Sequence, residues 1–143
     1  MPYTFRGDIA IADVAYEATG KTIEELFIAA GLALTETQVK DLKTVEKKET
    51  RILDLKAKTL EQLLHDFLQE LIFYKDADLL LLTTFDIKIT QTDPGYALHG
   101  RVHGEQLDMK KHELLVDVKA VSWHMFEVKQ EKGEWKAFVI LDV

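Results

Sequence analysis

The sequence predicts an α+β fold of mostly antiparallel β-sheets packed with two amphipathic α-helices, forming a single domain over residues 1–143. Three observations lead there. Two capping-box patterns each precede apolar residues spaced three and four apart, the remaining stretches alternate or run apolar between turn signals, and no linker, repeat or low-complexity tract divides the chain. With 143 residues and 47% hydrophobic content, the chain can bury one good core and is too short for two ordinary domains.

The elements follow in chain order. Residues 9–20, IAIADVAYEATG, read as a strand in which Ile9 and Ile11 share a face and Asp13 lies on that same face, because strand side chains alternate. Thr22-Ile-Glu-Glu25 then supplies a hydroxyl and, three residues on, a carboxylate for N–H groups that a first helical turn leaves without partners. Behind it, Ile23, Leu26, Phe27, Ala30 and Leu34 fall on one helical stripe. ETRILDLKAK sets Ile52, Leu53 and Leu55 among charges in imperfect alternation, as a half-buried strand does.

The second box, Thr59-Leu-Glu-Gln62, precedes Leu60, Leu63, Leu64, Phe67, Leu68, Leu71 and Ile72 in regular helical steps. Both helices are expected to be scaffold, with Glu24, Glu25, Glu61 and Asp66 facing water. Beyond them LLLLTTFDIKIT, GYALHGRVHGEQLD, LLVDVKAVSWHMFEVKQ and EWKAFVILDV read as strands, parted by the turn signals TDPG and EKGE.

Composition narrows the function classes. The formal net charge of −7 opposes a large phosphate-binding surface, so direct nucleic-acid binding is not expected. No apolar run of about 18 residues and no basic-then-apolar start suggests a membrane span or secretion, and the cytoplasm is the expected location. Without cysteine, any metal must be held by oxygen or imidazole.

One pattern points to such a site. In the last strand Phe138 and Ile140 share a face with Asp142, repeating the acid-on-an-apolar-face exception of Asp13. Two carboxylates that meet in the folded protein repel each other unless a proton or a cation sits between them. The bland alternative is that both are edge-strand charges that discourage aggregation.

The chain resembles the archease family over essentially its whole length. The resemblance rests on ADVAYEATGKTIEELF against the opening signature with GxTxEExF, on the acidic, leucine-rich LEQLLHDFLQELIFYKDADLLL, and on GEQLDMKKHE, VKAVSWH and ILDV in that order. It implies an accessory protein, not an enzyme, that activates an RtcB-type RNA ligase by promoting its GTP-dependent guanylylation and multiple turnover in tRNA splicing and RNA repair. It also implies a divalent cation held by Asp13, Asp142 and the backbone carbonyl of Val143. Such hard oxygen donors suit Ca²⁺, Mg²⁺ or Mn²⁺.

Many archeases read HTAD where this chain has Ala10 in AIAD, so an imidazole near the cation is absent; Ser122 and Trp123 replace the more usual Thr and Tyr. Glu105 in HGEQ follows a glycine taken as a turn and would ordinarily be a solvated loop acid; it is a secondary functional candidate. Lys119 would ordinarily snorkel from a strand, and its place in the signature makes it a candidate at the partner contact. His124 and His112 are candidate ligands against a structural reading, and His99 and His103, on one face, are discounted as a metal pair.

Two other functional classes compete. Asp13 and Asp142 with Glu105 or His124 would serve a small metal-dependent hydrolase, although no nucleophile motif or phosphate-binding glycine loop accompanies them. The other is a chaperone-like protein-binding module.

Overall fold

The computed structural model describes residues 2–7 and 13–143. Its elements in order are β1 (Tyr3–Phe5), β2 (Val14–Gly20), α1 (Ile23–Gln38), a short 3-10 turn (Leu42–Thr44), β3 (Glu49–Ala57), α2 (Leu60–Asp78), β4 (Leu80–Gln91), β5 (Tyr96–Gln106), β6 (Ala120–Glu131) and β7 (Glu134–Asp142). They form a four-stranded sheet ordered β1-β2-β7-β6 and a three-stranded sheet ordered β3-β5-β4, and every pairing is antiparallel. Both expected helices and the α+β class are present.

The two boxes work as their chemistry requires. The side chains of Thr22 and Thr59 accept the N–H groups of Glu25 and Gln62, each at 3.1 Å, and Glu25 in turn accepts the N–H of Lys21 at 2.8 Å. The apolar stripes behind them meet at Phe67, which is fully buried, with its ring 5.5 Å from Phe27 of α1 and 5.9 Å from Phe85 of β4. In the four-stranded sheet the face turned to the core carries Tyr16, Ala18, Ala137, Val139 and Leu141, and Tyr16 donates its hydroxyl to the carbonyl of Ala30 in α1 at 2.9 Å. Period-two alternation therefore leaves the odd side chains of β2 and the even ones of β7 on the opposite face.

The structure departs from the sequence reading at three places, and at one further place it does not test it. Strand β1, three residues pairing with β2, was not foreseen, being too short for any periodicity. Ile9, Ala10 and Ile11 of the opening strand lie outside the described residues. Strand β6 starts at Ala120, because the apolar LLV that was read as its beginning is diverted: Lys40 and Leu115 donate their N–H groups to the carbonyls of Glu113 and Gln38 at 2.8 and 2.9 Å, which ties this stretch to the end of α1. Glu24 does not simply face water, since its carboxylate accepts the N–H of Ile89 on the edge strand β4 at 3.0 Å.

Candidate functional site

The β2–β7 ladder pairs Val14 with Leu141 and Ala15 with Ile140. Asp13, at the bend before β2, and Asp142, the last residue of β7, each adjoin the final pair of this ladder, Val14 and Leu141. Both acids are half-buried, and alternation assigns them to the sheet face opposite the core. Strand β6 joins them by the pairing Ala120↔Asp142, and just before it the N–H of Lys119 donates to the carbonyl of Asp142 at 2.8 Å. Asp13, Lys119, Asp142 and Val143 thus meet at one end of the four-stranded sheet.

The donor chemistry of this end fits a hard cation. Neither carboxylate has an ion-pair partner among the described residues. No group of three or more His, Cys, Asp or Glu gathers among the described residues, and the side-chain donors that this end offers are the two carboxylates. That composition suits Ca²⁺, Mg²⁺ or Mn²⁺ over a soft metal. Ala10, the position at which the resemblance lacks its histidine, is outside the described residues.

Glu105 stands elsewhere and is not a solvated loop acid. It lies within β5 opposite Leu81, is only 7% exposed, and its neighbour Gly104 is a strand glycine, not a turn one. A Cβ at Gly104 would come within 1.7 Å of the Leu81 carbonyl oxygen, so only glycine allows this approach of β4, next to the register shift between Leu82 and Thr84. Glu105 accepts from the ammonium of Lys111 at 2.9 Å, from that of Lys48 at 3.1 Å and from the N–H of Glu46 at 3.1 Å. These bonds, that from Lys111 first, pull its pKa down to about 2.

His112 completes this cluster. Its Nδ1 accepts the N–H of Asp108 at 3.0 Å, which leaves the proton on Nε2, and Nε2 donates to Glu105 and to the Thr44 carbonyl, both at 3.1 Å. With both ring nitrogens engaged and 2% exposure, His112 is a structural group that ties the 3-10 turn to β5. His124 is exposed in the stretch of β6 between Ser122 and Glu127 where the register shifts, and its backbone N–H donates to the Ser122 hydroxyl at 3.0 Å. Its neighbour Trp123 lies flat on the buried His65, ring centroids 3.8 Å apart. Of the other two histidines, His99 is exposed and His103 buried, its Nδ1 within 2.8 Å of the Thr50 hydroxyl.

The sequence profile of the Archease protein family matches residues 7–143. The chain belongs to the archease family. It is 37% identical over 133 residues to the protein archease of Pyrococcus abyssi, covering 92% of this chain and 93% of that one. It is 39% identical over 132 residues to the protein archease of Methanothermobacter thermautotrophicus, with 92% and 93% covered. The solution structure of Methanobacterium thermoautotrophicum protein 1598 superposes with a TM-score of 0.85 at 37% identity over 99% of each chain. The crystal structure of an archease from Thermotoga maritima, described as a possible chaperone, shares the fold with a TM-score of 0.64 at 19% identity over 94% of this chain and 93% of that one.

In this archease chain, sequence reasoning missed Lys48 and Lys111, which anchor Glu105 from outside its own strand. Lys111 belongs to the quoted KKHE, and its pairing with an acid six residues earlier was the available signal. Lys48 carried none, since it reaches Glu105 from a loop far away in the chain. Among the described residues no helix is long and apolar enough to cross a membrane.

Proposed function

We propose that this archease-family chain is an accessory protein that activates an RtcB-type RNA ligase, promoting its GTP-dependent guanylylation and its repeated turnover in tRNA splicing and RNA repair in the cytoplasm. The observation that supports the reading is the Val14↔Leu141 pairing, one step from both Asp13 and Asp142, with Lys119 bonded to the same strand end. On this reading the chain performs no catalysis of its own. Asp13 and Asp142 would hold a divalent cation, with the Val143 carbonyl, at a rim that a partner can approach. A cation presented there lowers the repulsion among the phosphate oxygens of GTP as the ligase nucleophile closes in. The exposed Lys119 borders that rim and would meet the ligase or its nucleotide.

Charge supports a protein partner over RNA. With a net charge of −7 the chain is poorly suited to hold a polyanion, whereas an RNA ligase must present positive surface that an acidic partner complements.

Purified ligase mixed with labelled GTP and Mn²⁺ or Mg²⁺, with and without this protein, tests the reading. Substoichiometric protein should speed formation of labelled ligase, and Asp13→Ala or Asp142→Ala should remove the effect. A labelling rate unchanged across a range of metal concentrations overturns the proposal.

A further inference from the structure

Near its C-terminal end helix α2 carries a buried lysine that the cation pair does not use. Lys75 is 7% exposed, at a depth where an ammonium is rarely found unless its protons have partners. Its Nζ donates to the carboxylate of Asp117, to that of Asp76 at 2.5 Å and to the carbonyl oxygen of Val118 at 3.0 Å. Burial works against its charge, yet the bonds and charges of Asp117 and Asp76 outweigh it and raise its pKa above the usual lysine value. The ammonium thus joins α2 to Asp117 and Val118 through its side chain.

What it pins is the approach to the candidate site. Asp117 and Val118 immediately precede Lys119, whose N–H bonds the carbonyl of Asp142, and Ala120 then pairs with Asp142 in the ladder. The stretch between Leu115 and Lys119 has no strand ladder of its own, and Val118 is fully buried there. Among the described residues the backbone of Val116 and Asp117 makes no backbone hydrogen bond. Its placement thus depends on few groups, and Lys75 supplies two of them at once, one to a side chain and one to the main chain.

We propose that Lys75 is a positioning residue for the cation pair: by holding Asp117 and the Val118 carbonyl, it fixes Lys119 against Asp142 and so sets where the Asp142 carboxylate stands relative to Asp13. The inference rests on the proposed role of that pair. It adds a residue from a different element, more than forty positions earlier in the chain than Asp117, whose loss should loosen the site without touching a ligand.

Two readouts, neither requiring the ligase, test it. The first is amide hydrogen exchange at Lys119; the second is Mn²⁺ affinity by calorimetry, with Asp142→Asn as the reference for loss of the site. Lys75→Met, which keeps the length of the side chain without its charge, should speed exchange at Lys119 by about tenfold or more while amides in the middle of α2 keep their protection. It should also weaken Mn²⁺ binding by roughly tenfold, and Lys75→Arg, which keeps the donors, should restore most of both effects. Asp117→Asn attacks the same pin from its exposed end, with the Asp117 side chain 72% exposed, and should reproduce the change on a smaller scale even if Lys75→Met fails to fold.

Unchanged exchange at Lys119 and unchanged Mn²⁺ affinity in folded Lys75→Met or in Asp117→Asn overturn the inference alone. Exchange that rises uniformly along α2 makes Lys75 a merely structural lysine and overturns it too. If wild type and Asp142→Asn bind Mn²⁺ equally, the cation pair itself fails and the positioning role falls with it; that outcome differs from the others because the reference variant, not Lys75, reports it.

Discussion

The N–H of Lys119 donates to the carbonyl oxygen of Asp142 at 2.8 Å, which joins the loop before β6 to the end of the last strand at the point where Asp13 also arrives. Two carboxylates brought together without a cationic partner are a local liability that a bound cation turns to advantage. Asp13→Asn and Asp142→Asn should each weaken Ca²⁺ and Mn²⁺ binding by at least about tenfold, since each removes a charged oxygen donor. The fold should persist, and without metal both variants should melt no lower than wild type. Calorimetric titration checks this, and equal affinity in all three proteins counts against the site.

Phe67 is where the two helices and the three-stranded sheet meet. Its ring is fully buried between Phe27 and Phe85, so Phe67→Ala should cost about 3 to 5 kcal/mol by urea unfolding. A near-neutral result would mean that this junction can collapse around the missing ring.

Glu105 should make stability depend on pH in the acid range. Its pKa in the folded protein is lowered from 4.5 to about 2, chiefly by Lys111. A depressed carboxylate contributes stability that is present above its unfolded value and is lost as pH falls through its folded value. Wild type should therefore exceed Glu105→Gln in denaturant midpoint at pH 7, and the gap should close between pH 4.5 and about 2. A gap of constant size over that window would assign the difference to lost hydrogen bonds alone.

Gly104→Ala should be among the most damaging single-methyl additions to this chain. The added carbon would need to occupy space within 1.7 Å of a β4 carbonyl oxygen, backbone against backbone, which no side-chain rearrangement can relieve. A loss of roughly 3 kcal/mol or more, or failure to fold, is expected by thermal melting.

Much of the fold was legible in the residues themselves. Helix signals are local: the hydroxyl of Thr22 or Thr59 lies three residues from the N–H it caps, and the stripe from Leu60 to Ile72 repeats every turn, so both helices could be read from short windows. The last strand was legible for the same reason, as was the anomaly of an acid at Asp13 and another at Asp142.

What no window contained was register and reach. Nothing local to Asp13 says that β2 pairs with a strand more than a hundred residues later; the β2–β7 ladder ends at Val14↔Leu141, one step from each acid, and only the folded sheet shows that. The LLV run before β6 has strand composition, yet its backbone bonds go to the end of α1, because pairing is settled by which donors and acceptors the packed elements bring within reach. Glu105 was misread for the same cause: the glycine before it resembles a turn until β4 is laid against it, and its lysines arrive from outside the strand. Periodicity, capping and the presence of acids belong to the chain, whereas burial of a charge and the partners that satisfy it belong to the assembled sheets, since both depend on contacts between residues far apart in sequence.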